Sequence, residues 1–285
     1  MKRNTFKSRR GMTLVELLVG LVVLGVVATL FTRLLVAQGK FFDKQAQGSA
    51  ARNVSRGALN RAISDMRMVE AGGGVIAASG TSVTVRIPYA MGVVCATAGG
   101  VTTATLLPVD SVMYSQPGFY GYAWRSSTTG LYNYVEAGTS VSNGTASICT
   151  NAAITTLTNG KVIALAPALP VAATFGTPVL LFRRVRYEFK ASTLIPGKTG
   201  LWRTVINPNG SETAEELVAP FASTASFKFF GVNNAVAQTS PPAALSDIRG
   251  LELHLDGMSE RPASGQIAVE AAPFVTAVYF KNRMT

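Results

Sequence analysis

The stretch GMTLVELLVG, residues 11–20, places a single carboxylate, that of Glu16, inside a continuous apolar segment. From Met12 to Thr32 the chain has twenty-one residues, and Glu16 is the only charged one among them. As a helix with a rise of about 1.5 Å per residue, this segment is roughly 30 Å long, which is enough to cross the hydrocarbon core of a membrane. Because an ionisable side chain in lipid is costly, its presence here points to a function.

The residues on either side of the segment predict its orientation. Residues 1–11 form a basic leader with five Lys or Arg and no acid, so they are expected to stay on the cytoplasmic side. Arg33 closes the segment on the far side. We therefore expect a single-pass protein of the inner membrane, with residues 12–33 in contact with lipid and the rest of the chain in the periplasm.

Three interpretations of this N-terminus differ in how they explain Glu16. A cleaved secretory signal usually has a shorter apolar stretch, about 7–15 residues, followed by a small-residue cleavage site. A plain membrane anchor explains the length but not the acid. Cleavage after Gly11 would create an α-amine on Met12, four residues or roughly 6 Å from the Glu16 carboxylate. In packed helices, the amine of one chain would then neutralise the carboxylate of its neighbour and set their axial register.

Residues 11–18 resemble the processing site of type IV prepilins and of type II secretion pseudopilins. The resemblance implies that a prepilin peptidase cleaves after Gly11 and methylates the new amino group of Met12. It also implies that Glu16 is the assembly glutamate and that other pilins contact this chain through its N-terminal helix. Met12 stands where the family most often has Phe, and the helix lacks the proline of many major pilins, since the first proline is Pro88.

The helix is predicted to continue beyond the membrane as an amphipathic segment over residues 34–71. No proline interrupts residues 12–71, and the three glycines at 72–74 are a natural stop. An apolar stripe recurs at helical spacing, which is typical of a helix packed on a core. The stripe consists of Val54, Ala58, Leu59, Ala62, Ile63, Met66 and Val69.

Residues 72–285 are predicted to form a β-rich globular domain. Its first part, residues 75–175, is rich in Ser, Thr and Gly and is interpreted as an insert with short strands between turn signals. One of these turns, Ser126–Gly130, is a candidate hairpin loop, and residues 143–159 are expected to be a surface loop.

The second part of the domain, residues 178–285, alternates more clearly between apolar and polar residues. In Arg184–Lys190 and Leu251–Asp256 every second residue is apolar, which favours an antiparallel sheet with one face in solvent. The predicted fold class is therefore α+β, with a long N-terminal helix packed on antiparallel sheets, as in pilins.

This second part also resembles the order of elements in PilW-type minor pilins and in the related pseudopilin J. The length of the chain favours the pilus protein. The matching segments are Val185–Phe189, Gly200–Arg203, Glu216–Ala219, Ser226–Phe229, Ile248–Leu253 and Phe274–Asn282.

The composition indicates the compartment and a moderately basic surface. The net charge is +11, of which the leader holds five, and only 14% of the residues are charged. The two cysteines, Cys95 and Cys149, follow the membrane segment and are expected to form a disulfide, because disulfides persist outside the cytoplasm. Two distant cysteines and one histidine do not make a zinc site.

The sequence carries no catalytic motif that we recognise. It has no G-x-S-x-G, P-loop, H-E-x-x-H or C-x-x-C pattern, and His254 is its single histidine. We therefore expect no enzymatic activity, no cofactor and no metal.

Two groups of charged residues are weaker candidates for binding. The acids Asp247, Glu252, Asp256 and Glu260 lack the dense spacing of a calcium loop. A basic group could attract DNA phosphates, although a solvated sheet face explains it more simply. It consists of Arg183, Arg184, Arg186, Lys190 and Lys198.

The predicted function is that of a PilW-type minor pilin, a structural subunit that takes part in type IV pilus assembly or priming. The alternatives are pseudopilin J of a type II secretion system and a competence pilin that binds DNA or a surface. The expected partners are other pilins, prepilin peptidase and inner-membrane lipid.

Overall fold

The computed structural model describes residues 13–114, 118–151, 160–232 and 234–280. In this part of the chain the helices are α1 (Leu14–Arg67), α2 (Pro108–Tyr114) and α3 (Ala146–Asn151), with a 3-10 turn at Leu245–Asp247. The first eight strands are β1 (Val75–Ala78), β2 (Ser82–Ala98), β3 (Val101–Leu106), β4 (Gly121–Arg125), β5 (Tyr132–Val135), β6 (Ser140–Asn143), β7 (Val162–Ala166) and β8 (Pro178–Ala191). The others are β9 (Thr199–Ile206), β10 (Glu212–Phe221), β11 (Ser226–Phe230), β12 (Gly250–His254), β13 (Gly257–Pro262), β14 (Val269–Ala272) and β15 (Val275–Tyr279).

Helix α1 is 54 residues long, or about 80 Å at the usual rise per residue. It ends at Arg67, four residues before the predicted Ala71. The reason lies in the glycines that follow, since Gly72 and Gly73 have φ angles of +83° and +140°. Gly74 then folds back on Glu70, whose carbonyl accepts its N–H at 3.0 Å. This turn over residues 70–74 directs the chain away from the helix axis, so the helix ends before the first glycine, Gly72, is reached.

The second half of α1 is the support on which the domain folds, as its apolar stripe predicts. Ala58, Ala62 and Met66 are fully buried, and so is Val69 just beyond the end of the helix. The remaining members of the stripe, Val54, Leu59 and Ile63, are partly buried and pack against the same core.

Antiparallel strands form two sheets around this half of the helix. The larger, of twelve strands, has the order β14-β13-β10-β9-β8-β2-β3-β7-β6, with β1 added to β2 and the β4–β5 hairpin added to β8. The smaller has the order β11-β12-β15. The main core lies between α1 and the two sheets and is rich in aromatic and branched side chains, among them Tyr187, Phe221, Phe227, Phe229 and Leu253. The predicted α+β fold class is confirmed.

The Ser/Thr/Gly-rich residues 75–175 contribute strands to the same sheet as the residues that follow. Strand β2 pairs with β8 in a register that runs from Ser82 opposite Glu188 to Val93 opposite Pro178. The β4–β5 hairpin closes at Ser126–Gly130, as predicted, with Gly130 N–H donating to the Ser126 carbonyl at 2.8 Å. The expected surface loop at 143–159 differs, because α3 occupies its start; residues 152–159 lie outside the described residues.

A polar contact fixes the helix against the sheet. Asp65 on α1 accepts the hydroxyl of Tyr187 at 2.6 Å and Nε of Arg203 at 2.9 Å, both through Oδ2. Burial raises the pKa of Tyr187 well above its usual range, so its hydroxyl stays a donor. The axial position of α1 is thus set by a hydrogen-bonded ion pair as well as by apolar packing.

The β13–β14 hairpin packs on α1 through small residues. Gly257 N–H donates to Ser55 Oγ at 3.1 Å, and the same hydroxyl lies 3.4 Å from the Ala272 carbonyl. A Cβ at Gly257 would lie 2.5 Å from Ser55 Oγ and closer still to the Ala51 carbonyl. The absence of a side chain at position 257 therefore lets the two backbones approach.

Replacing Gly257 with Ala is expected to lower the free energy of unfolding by about 1–3 kcal/mol, because overpacking forces the hairpin off the helix. Urea unfolding followed by tryptophan fluorescence measures this. Gly48→Ala is the matched control, since a Cβ there meets its nearest neighbour at 3.7 Å. It is expected to leave stability unchanged or raised, and an equal loss in both variants would contradict the packing argument.

Candidate functional site

The apolar segment at the start of α1 is not buried by the domain. Its apolar side chains are exposed from Leu14 onward, for example Leu24 at 67% and Phe31 at 61%. An 18-residue window of this helix has a mean hydropathy of 2.6 and no buried residue. Exposed apolar surface of this extent marks an interaction with a membrane or a protein, and its length fits a bilayer.

Glu16 lies in the first turn of α1 and closes a capping box with Thr13. Its Oε2 accepts the Thr13 backbone N–H at 3.1 Å, and its own N–H donates to Thr13 Oγ1 at 3.3 Å. This reciprocal pair satisfies two N–H groups that have no partner within the helix. A carboxylate is also favoured at this position by the positive end of the helix dipole.

The capping box determines where the carboxylate points. Thr13 directly follows Met12, so Glu16 is held toward the end of the helix at which cleavage after Gly11 would create an amine. Gly11 and Met12 themselves lie outside the described residues. The structure therefore describes one member of the predicted pair, a carboxylate that has a local partner within its own chain.

The two cysteines are joined, as predicted. The disulfide between Cys95 and Cys149 connects β2 to α3 with a Cα–Cα distance of 4.8 Å. Both residues are buried, and they pack with Val162 in a small cluster of their own. The bridge therefore stabilises a part of the domain that lies outside the core packed on α1.

Much of the basic group considered for DNA binding is neutralised within the chain. Arg184 pairs with Glu136 at 2.9 Å, Arg186 with Glu212 at 2.6 Å, and Lys190 with Glu188 at 3.2 Å. Arg183 lies over the ring of Tyr89 at 4.6 Å. Alternation along β8 shows the basic residues and Glu188, but the other two acids, Glu136 and Glu212, are distant from β8 in the chain.

Two of the four acids considered for calcium, Glu252 and Asp256, contact other side chains. Glu252 lies 2.6 Å from His254 Nε2 and 3.6 Å from Lys228 Nζ, and Asp256 accepts the hydroxyl of Thr224 at 2.7 Å. Within the described ranges, no three His, Cys, Asp or Glu residues are close enough to hold a metal ion.

The sequence did not reveal the contacts that hold the domain to α1. Asp43 and Asp65 meet Arg261 and Arg203, which are 218 and 138 residues away. No local pattern signals such pairs. The small residues Ala51 and Ser55 are a partial signal, because they continue the buried face of Ala58, Ala62 and Met66 toward the start of the helix.

Comparison with known proteins gives one match. The model of the prokaryotic N-terminal methylation motif matches residues 6–32. No curated protein and no solved structure matches the chain. The matched motif includes Glu16 and begins an exposed apolar helix that leads into an α+β domain. Together these features indicate membrane anchoring and support a place for this chain in the type IV pilin-like superfamily.

Proposed function

We propose that this chain is a minor pilin of the PilW type, which enters a type IV pilus after processing by prepilin peptidase. The observation that carries the proposal is the single carboxylate, Glu16, at the start of an exposed apolar helix that matches the methylation motif. The superfamily is structural rather than enzymatic. The finer assignment to the PilW type rests on the resemblance in residues 185–282.

The proposed mechanism begins in the inner membrane. The basic leader stays in the cytoplasm, α1 crosses the bilayer, and the domain folds in the periplasm. Cleavage after Gly11 then exposes the amine of Met12, which is methylated. In the filament this amine pairs with Glu16 of an adjacent subunit, while the apolar half of α1 exchanges lipid for other helices. The Glu16 carboxylate then gives up its hydrogen bond with Thr13 and pairs with the charged amine of the adjacent subunit.

Replacing Gly11 with Val is expected to block processing, because the branched side chain does not fit where a glycine is cleaved. Co-expression with prepilin peptidase, followed by gel mobility, measures the fraction that loses the eleven-residue leader. Gly20→Val is the control, since Gly20 lies in α1, beyond the proposed cleavage point, and a Cβ there meets nothing within 4 Å. Normal cleavage of the Gly11 variant would contradict the proposed site.

Deletion of the gene distinguishes the pilus protein from pseudopilin J. Loss of surface pili with normal protein secretion is the result expected for a PilW-type protein. Loss of secretion with normal pili would assign the chain to a type II secretion system instead. The genes that neighbour it give the same distinction without an experiment.

A further inference from the structure

The β13–β14 hairpin runs along α1 toward the membrane-spanning half of the helix. At its base, Gly257 packs against Ser55. Near its tip, Gly265 lies against the side chain of Lys40, to which a Cβ would come within 3.3 Å. These two contacts are fifteen helical residues apart, or about 22 Å along the axis. The tip, residues 263–268, is therefore the part of the domain that approaches the apolar segment along this face of the helix.

A carboxylate on the helix fixes the tip in this position. Asp43 Oδ1 accepts Nη2 of Arg261 at 2.8 Å, and Oδ2 accepts the backbone N–H of Ser264 at 2.6 Å. The hydrogen bonds from Arg261 and then from Ser264 lower the pKa of Asp43 to about 2. Because the pKa of Asp43 is lowered, this contact stabilises the folded protein at pH values above 3.8, the ordinary pKa of the group. The stabilisation is lost as the pH falls toward 2, so the contact is intact near neutral pH.

The tip presents an aliphatic side chain to solvent. Ile267 is 99% exposed and residues 263–268 carry no charge. The nearest acids along the chain, Glu260 and Glu270, lie behind the tip on the strands of the hairpin. On α1 at the same level, Phe41 and Phe42 are 58% and 66% exposed. An uncharged loop with an exposed aliphatic side chain, at the level of two exposed Phe rings, is typical of a surface that meets the lipid interface.

The part of α1 next to the tip has a net positive charge. Lys40 and Lys44 flank the two phenylalanines, and Arg33 precedes them. The one acid of α1 between residues 33 and 56, Asp43, is paired with Arg261. Clusters of Lys and Arg next to a membrane segment attract anionic lipid headgroups.

The distance along α1 from the end of the membrane segment to Lys40 is compatible with a contact between Lys40 and the lipid headgroups. Lys40 is seven residues beyond Arg33, or about 10 Å. The headgroup layer extends roughly 5–8 Å beyond the hydrocarbon on each side, and lysine side chains extend toward it while their stems cover apolar surface. The tip thus lies at the level where the bilayer surface meets α1.

We propose that residues 263–268, with Lys40, Phe41, Phe42 and Lys44, form a docking surface for the anionic headgroups of the bilayer that anchors α1. The inference rests on the proposed membrane anchoring but goes beyond it, because an anchor alone does not require the domain to touch lipid. The contact holds the domain in a fixed orientation on the membrane before it enters a filament. Its partner is the same membrane surface, since the patch is continuous with the apolar segment.

Fluorescence quenching in vesicles tests the proposal with the full-length protein. A fluorophore on Ile267→Cys is attached selectively, because both natural cysteines are in the disulfide. Val171→Cys is the matched control, since Val171 is 95% exposed and follows β7, which lies near the other end of the large sheet from β13 and β14. The quencher is a phospholipid with a spin label on its headgroup, in vesicles of phosphatidylglycerol or phosphatidylcholine.

The probe at position 267 is expected to be quenched strongly in phosphatidylglycerol, and the probe at position 171 is not. Lys40→Gln and Lys44→Gln are each expected to weaken the preference for the anionic lipid by roughly fivefold. Equal quenching at 267 and 171 would overturn the proposal. Quenching that depends on the protein-to-lipid ratio and not on the headgroup would also overturn it, because it would assign the tip to a neighbouring subunit.

A third probe separates this proposal from the membrane anchoring on which it rests. A fluorophore on Leu24→Cys, in the middle of the apolar segment, reports insertion through spin labels placed deep in the acyl chains. If this probe is quenched and the probe at 267 is not, α1 spans the bilayer and the docking surface is wrong. If neither probe is quenched, the anchoring itself fails, and the docking proposal fails with it.

Discussion

Replacing Glu16 with Ala is expected to reduce incorporation into filaments by roughly a hundredfold or more, because in the proposed filament it leaves the amine of the adjacent subunit without its partner in a medium of low dielectric. Folding and membrane insertion are expected to be unchanged. The first buried residue of α1 is Ala51, thirty-five residues or about 50 Å beyond Glu16. Immunoblots of sheared pili against whole-membrane fractions measure the effect.

Thr13→Val provides the control for this experiment. It removes the hydroxyl that caps the helix but keeps the backbone N–H that donates to Glu16 at 3.1 Å. If the contact between Thr13 and Glu16 only orients the carboxylate, this variant loses about 1 kcal/mol of local helix stability and assembles nearly normally. Equal incorporation of the Glu16 variant and the native protein would show that the carboxylate does not set register.

Removing the disulfide is expected to be the most destabilising change in the globular domain. The bridge between Cys95 and Cys149 closes a loop with a sequence separation of 54. On the chain-entropy model, opening such a loop lowers the free energy of unfolding by about 4 kcal/mol. Denaturant unfolding of Cys95→Ala with Cys149→Ala, compared with the oxidised native protein, measures this loss.

The position of the bridge predicts where the variant opens first. The disulfide belongs to a small cluster with Val162, whereas the core around α1 has its own aromatic side chains. Limited proteolysis is therefore expected to cut near α3 before it cuts β8–β10. A native protein that is reduced with dithiothreitol should behave like the double variant. A loss below about 1 kcal/mol would show that the bridge does not restrict the unfolded chain.

The helix was predictable from the sequence because its signals are local. Apolar residues at helical spacing predicted which face of residues 54–69 is buried, and the glycines after it predicted a stop within four residues. The capping box is also a local pattern, because Thr13 and Glu16 are three residues apart. From the sequence we interpret Glu16 only as an ionisable residue of the membrane segment, without predicting its role in the cap.

The long-range contacts were not predictable, since their partners are distant in the chain. Strand β2 lies in a region rich in Ser, Thr and Gly, and its pairing with β8 places it at the centre of the sheet rather than in a separate insert. Asp43 and Arg261 are both charged surface residues by sequence, and only the path of the β13–β14 hairpin brings them together. Register between distant strands depends on tertiary packing, which no local pattern encodes.

The central claim is that the functional N-terminus of this protein is made by cleavage, which supplies a partner for Glu16. Mass spectrometry of the protein isolated from native membranes or pili tests it most directly. We predict an N-terminal peptide that begins at Met12 and carries one additional methyl group on its amine. A native, assembled protein that retains residues 1–11 would contradict it, because no amine would then lie close enough to pair with that carboxylate.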